Sequence, residues 1–186
     1  MRELESWIED ARSGGLAHPS AASFVTATRD GRPSARTVAL KRLEPDALVF
    51  TTALWTRKAT EVRANPNVAL LWHWPALGRQ VHVTGEAEFA ERTLAHQLFA
   101  ERDLDHRLQT LISRQGEPIA ALAPLRARLL DLREGLESPP QCPAEWGAVR
   151  VRPQAIELWS EAKDRIHERR LYERDGHGWR MTRLAP

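Results

Sequence analysis

The sequence predicts a mainly β protein in which antiparallel strands form a barrel and helices pack around it. Two features of the chain lead there. Short runs rich in β-branched and aromatic residues, separated by hairpin-length turns, fill residues 21–89 and return from Trp146 to the end. Between them lies a charged, alanine-rich block from Arg92 to about Leu136 whose pattern is helical. With 186 residues, 42% hydrophobic and 28% charged, the chain has the size and composition of one globular domain spanning residues 1–186.

An amphipathic helix opens the chain: Leu4, Trp7, Ile8 and Ala11 recur at helical spacing between Glu3 and Arg12, and Ser13-Gly14-Gly15 stops it. From Ala21 the pattern shortens, and SFVTATR, a DGRP turn, SARTVALKRL, a turn at Pro45-Asp46 and LVFTT read as an antiparallel meander. Thr56 is placed to cap a helix from Arg57 to Ala64, which Asn65-Pro66 ends. NVALLWHW and RQVHVTGEAEFA then supply two more strands, and five strands at hairpin spacing suggest a barrel. The block from Arg92 is expected to be helical in two or three pieces, interrupted at Gly116-Glu117-Pro118 and ended by Ser138-Pro139-Pro140. WGAVRVRP, AIELWS, RIHERRLYERD and GWRMTRLAP read as the closing strands, with Asp175-Gly176 turning between the last two.

Composition excludes several classes of function. No run approaches the roughly 20 apolar residues of a membrane span, and MRELESWIED lacks the apolar core of a signal peptide, so a cytoplasmic location is expected. The 27 Lys and Arg are interspersed with 25 Asp and Glu, which is no nucleic-acid footprint. Cys142 stands alone, so neither an intrachain disulfide nor a thiolate metal cluster is available. His18, His73, His82, His96, His106, His167 and His177 are scattered with no i, i+4 pair on one helix, and no metal site is expected. Nucleophile elbow, Walker A loop, GxGxxG, HExxH and CxxC signatures are absent from the sequence.

Three constellations point toward an anionic ligand. Arg36 and Lys41 bracket an apolar stretch of one strand, so residues 36, 38 and 40 share one face and 37, 39 and 41 the other. Thr56-Arg57-Lys58 puts a hydroxyl and two cations at a helix start, where free N–H groups and the helix dipole favour an anion. Arg165, His167 and Arg169 alternate along a predicted strand and so share a face, where their charges repel unless an anion or Glu168 neutralises them. Trp159, just upstream, is either a core residue or the aromatic wall of a flat ligand site. On residue types alone, solvated charges beside ordinary strands and helices give the same patterns.

The order and spacing of the pieces resemble the pyridoxamine 5′-phosphate oxidase superfamily. The resemblance rests on DGRPSARTVALK at 30–41, TRK at 56–58 with NPNVALLWHW at 65–74, GRQVHVTGEAE at 78–88, SRQ at 113–115, WGAVRVRPQAIELW at 146–159, DRIHERRLYERD at 164–175 and GWRMTRLAP at 178–186. It implies a flavin mononucleotide (FMN) binding split β-barrel, dimeric, with a flavin at each subunit junction. The flavin contacts it implies are Arg36, Thr37, Val38, Ala39, Leu40, Lys41, Thr51, Thr52, Arg57, Lys58, Gln80, Gln115, Gly116, Trp159 and Arg169. Substrate contacts fall on Lys41, Arg102, Arg165 and His167, the last two as the catalytic pair over the reacting ring, with His106 as a further donor.

The implied reaction is hydride transfer from pyridoxamine or pyridoxine 5′-phosphate to the flavin, with dioxygen as the final acceptor. The chain departs from the family where a helical Tyr, Arg and Ser hold the substrate phosphate, because Leu98, Arg102 and His106 stand in those places. Thr51 replaces a Tyr and Gly116 a Ser, and the family's N-terminal arm has no counterpart before the first helix. These departures leave open a phenazine-pathway-like FMN oxidase acting on a reduced aromatic carboxylate, or a noncatalytic flavin-binding module.

Overall fold

The computed structural model describes residues 1–176 and 178–186; His177, one of the seven scattered histidines, lies outside the described residues. The elements are α1 (Arg2–Ser13), β1 (Ala21–Ala27), β2 (Pro33–Ala39), β3 (Arg42–Leu43), β4 (Leu48–Ala53), α2 (Arg57–Ala64), β5 (Asn67–Trp74) and β6 (Arg79–Phe89). They continue with α3 (Arg92–Ala100), α4 (Leu104–Ile112), α5 (Ala123–Glu134), β7 (Trp146–Ser160), β8 (Glu168–Asp175) and β9 (Gly178–Leu184). The nine strands of the described residues join one antiparallel sheet in the order β2-β1-β5-β6-β7-β4-β3, with β8 on β7 and β9 on β8. This is the split-barrel architecture that the sequence predicts.

The inward rows of the sheet explain why it curls. Phe24, Leu70, Val83 and Ile156 are direct cross-strand partners on β1, β5, β6 and β7, and all four are buried. A sheet that buries one face must close over it or find a second layer. Here it closes: Phe24 stacks on Phe50 of β4 at 5.8 Å although β1 and β4 are not neighbours in the sheet. The Lys41 N–H donates to Val49 O at 2.8 Å, tying the end of β2 to β4. Leu4, Trp7, Ile8 and Ala11 of α1 pack into the same core. A second cluster joins Leu94, Leu98 and Phe99 of α3 to Val49, Trp146 and Ala148 on the outside of β4 and β7.

Strand β7 gives the barrel its split. One edge pairs with β6 almost throughout, while the other pairs first with β4, over 146–151, and then with β8, over 155–160. The change of partner spans Pro153, whose missing N–H cannot extend a ladder. Gly85 lies opposite Pro153 at the register shift, and a Cβ there would sit 2.2 Å from Arg152 O. Gly85→Ala is therefore expected to cost about 1–3 kcal/mol through overpacking against backbone, read as a lower urea midpoint.

Three local expectations need correction. SARTVALKRL is not one strand: it breaks at Leu40-Lys41, where the chain leaves β1 and begins to pair with β4, so the alternation does not carry through to Lys41. WGAVRVRP and AIELWS are a single 15-residue strand, since β6 supports the chain across Pro153. RIHERRLYERD is strand only from Glu168, and Arg165 has φ 70°, the left-handed region. Asp164 Oδ1 accepts the Ile166 N–H at 3.0 Å, a local turn that wins over β propensity. Arg165, His167 and Arg169 therefore do not share the face of one strand.

Candidate functional site

The start of α2 carries the first group of predicted residues. Glu61 is buried, and it accepts hydrogen bonds from Thr26 Oγ1 and Ser34 Oγ, each at 2.5 Å, and from Arg57 Nε at 2.7 Å. Burial pushes its carboxyl up, but Ser34, Thr26 and the Arg57 guanidinium outweigh that and hold it at about 2. Arg36, opposite Phe24 on the inward face of β2, donates to Phe24 O, Thr26, Ser34 and Glu61. Its guanidinium is thus spent inside the protein. Arg57 uses Nε for Glu61 and stays largely exposed, which leaves its terminal nitrogens for a ligand.

Lys58 has no carboxylate partner among the described residues. Burial, and then repulsion from Arg36, lowers its pKa. It lines a small recess with Val38, Thr51 and Thr52. Thr56 precedes α2 as expected, but its hydroxyl donates to Ala53 O at 2.8 Å and does not cap the helix. Three cations against one carboxylate, beside an uncapped helix start with no acid in its first turn, make a seat for an anion.

Adjoining it is a cleft of about 200 Å³ lined by Thr51, Thr52, Ala53, Trp55, Arg102, Gln109, Thr110, Ser113, Gln115 and Trp146. Arg102 donates to Thr110 Oγ1 at 2.6 Å, and its guanidinium carbon lies 5.2 Å from the Trp146 ring centroid and 5.7 Å from that of Phe99. Burial lowers its pKa. His106 does not line the cleft; its imidazole is exposed and 3.3 Å from Asp103. Leu98 is buried in the core behind Trp146.

Gln80, Trp159, Arg169 and His167 lie toward the far end of β7. Gln80, Trp159 and Arg169 are successive cross-strand partners on β6, β7 and β8. The Trp159 and His167 rings are 4.9 Å apart, and His167 Nδ1 accepts the Ala162 N–H at 3.1 Å. Neutral His167 therefore carries its proton on Nε2. Arg169 is held by Glu157 at 2.8 Å and by Ala185 O at 3.3 Å. Arg165 is exposed on the loop before β8, Thr37, Ala39 and Lys41 are exposed, Leu40 is half-buried against the core, and Gly116 turns at φ 93°.

The two groups lie toward opposite ends of β7. Thr51 pairs with Ala148 while Gln80 pairs with Trp159, eleven residues further along β7. At about 3.3 Å per residue that is roughly 36 Å measured along the strand. Sequence reasoning missed Glu61, which its i, i+4 spacing from Arg57 could have flagged. It also missed Trp55, Gln109, Thr110 and Ser113, whose approach to Arg102 depends on tertiary packing.

Comparison with known proteins identifies the family. Residues 8–130 match the family described as pyridoxamine 5′-phosphate oxidase, and residues 146–186 match the pyridoxine 5′-phosphate oxidase C-terminal dimerisation region. A pyridoxine/pyridoxamine 5′-phosphate oxidase of Rubrobacter xylanophilus is 43% identical over 100% of this chain and 86% of its own length. Another, from Gluconobacter oxydans, is 40% identical over 97% and 91%. Among solved structures, PhzG of Burkholderia lata, in complex with tetrahydrophenazine-1-carboxylic acid, superposes with a TM-score of 0.92 at 29% identity, covering 100% of this chain and 91% of that one. A pyridoxamine 5′-phosphate oxidase-related FMN binding protein from Nostoc punctiforme, at 18% identity and TM-score 0.82 over 99% and 96% of the two chains, shares the fold. With family matches over most of its length and relatives at 43% and 40% identity, the chain belongs to the pyridoxamine 5′-phosphate oxidase family of flavin-dependent oxidoreductases.

Proposed function

We propose that the chain is an FMN-dependent oxidase that removes a hydride from pyridoxamine or pyridoxine 5′-phosphate, with dioxygen as the final acceptor. The observation that carries this reading is the pair of adjoining cationic seats: one around Lys58 and Arg57, where three cations face the single carboxylate of Glu61, and one around Arg102, which has no carboxylate partner among the described residues. The first fits the FMN phosphate, because Arg57 and Lys58 offer charge-assisted donors beside the start of α2. The second fits the anionic group of the substrate.

The flavin, when bound, supplies the hydride acceptor and the route to dioxygen. The protein's share is positioning and electrostatics. Gln80 and Trp159 offer an amide and an aromatic face in one row, and Arg169 is fixed beside them by Glu157. With Nδ1 engaged by the Ala162 N–H, His167 has Nε2 left as a hydrogen-bonding atom, while Arg165 brings a positive charge from an exposed turn. The separation of the two residue groups along β7, together with the match to a dimerisation region, supports a homodimer whose flavin sites lie between subunits. Among the described residues no helix is long and apolar enough to cross a membrane, and a cytoplasmic location is part of the same reading.

A second reading, a reduced aromatic carboxylate as substrate, is favoured by Leu98 and His106. The first is sealed in the core and the second faces Asp103, so of the three predicted phosphate-pocket positions only Arg102 reaches the cleft. An anaerobic mix of the FMN-loaded protein with each substrate class decides. Flavin bleaching by the vitamin phosphates supports the first reading and bleaching by a reduced phenazine carboxylate alone supports the second. No bleaching by either sinks both and leaves a noncatalytic flavin binder.

A further inference from the structure

Trp55 is a part of the Arg102 cleft that the family resemblance does not assign. The residue lines the cleft, yet its indole N–H is buried and has no acceptor among the described residues. An indole N–H is a donor only, so a partner must bring it a lone pair. The ring is not free to swing away: the Arg114 guanidinium lies over it, 4.6 Å from the centroid, and Glu117 holds Arg114 at 2.7 Å.

The neighbouring hydroxyl does not compete for the same ligand. Thr110 accepts from Arg102 and passes its own hydrogen to His106 O at 2.9 Å, so it orients Arg102 and has nothing left to donate. Among the described residues the cleft is therefore lined by one half-buried guanidinium without a carboxylate and by Trp55, whose buried indole N–H lacks an acceptor, and it is walled by Trp146. Both needs are met by one anionic oxygen group. We propose that Trp55 is a further substrate-anchoring residue, its indole N–H acting with Arg102 to hold the anionic group of the substrate. This rests on the reading that the Arg102 cleft receives that group.

The test uses the full chain loaded with FMN and two probes, pyridoxal 5′-phosphate and phenazine-1-carboxylate, in equilibrium dialysis. Trp55→Phe keeps a ring beneath Arg114 and removes the N–H. It is expected to raise the dissociation constant of whichever probe binds by about tenfold or more, as loss of a hydrogen bond to a charged acceptor does. Affinity for FMN, and for pyridoxal without its phosphate, is expected to stay unchanged. Trp55→His, which returns a ring N–H, is expected to regain part of the loss, and it keeps the test open if the Phe variant fails to fold.

The two ideas fail separately. If Arg102→Ala weakens probe binding and Trp55→Phe does not, Trp55 has no anchoring role although the cleft does. If Arg102→Ala leaves binding unchanged, or neither probe binds, the cleft reading falls and the Trp55 proposal falls with it.

Discussion

Replacing Glu61 with Ala is expected to destabilise the protein by about 3 kcal/mol, because it removes the buried carboxylate that neutralises Arg36 and leaves that half-buried guanidinium without an opposite charge. Urea denaturation at neutral pH measures it. The pH dependence carries a second signature. The Glu61 carboxyl stands at about 2 against an ordinary value of 4.5. A carboxyl lowered by folding stabilises fully above its unfolded pKa, and that contribution, roughly 3 kcal/mol for such a shift, drains away as pH falls through the folded value. Wild-type stability should therefore drop steeply between pH 4.5 and about 2. Glu61→Gln, which keeps an acceptor but no titrating proton, should flatten that limb. An equally steep limb in Glu61→Gln would mean that other carboxylates govern acid unfolding.

Arg57→Ala and Arg165→Ala are expected to part company. Arg57 is tied to the protein through Nε alone and offers its terminal nitrogens to a phosphate, so its loss should weaken FMN retention about 10- to 100-fold. Arg165 lies at the other end of the sheet, on the turn that Asp164 stabilises, and its loss should spare FMN while cutting turnover on the order of 100-fold. Fluorescence titration of FMN and steady-state rates at saturating flavin separate the two. Loss of flavin in Arg165→Ala with full retention in Arg57→Ala would reverse the assignment of both ends.

Much of the fold was legible from local pattern. The apolar stripe of α1, the Arg57–Ala64 helix and strands β5 and β6 fall where spacing, Asn65-Pro66 and alternation put them. The errors came where tertiary partners overrode local preference. Nothing near Leu40 says that the chain changes its neighbour from β1 to β4, and Pro153 reads as a strand end because β6, which carries the chain past it, lies far away in sequence. The turn at Arg165 was visible in Asp164 but was outweighed by the β-rich string around it. The candidate site shows the same division. Arg57, Lys58 and Arg102 announce themselves as cations, whereas Glu61 meets Thr26 and Ser34 across 35 and 27 residues, and Trp55 meets Arg114 with α2, β5, β6, α3 and α4 between them in the chain.

The two edge partners of β7 carry a genetic consequence. If each flavin seat takes its phosphate end from one chain and its ring end from the other, the lesions in Arg57→Ala and Arg165→Ala are complementable in trans. Mixed dimers formed from the two defective chains would gather both lesions into one seat and leave the other intact. Two impaired preparations, unfolded together and refolded, would then gain activity up to about half the wild-type value per mixed dimer, whereas seats built within single chains would gain none.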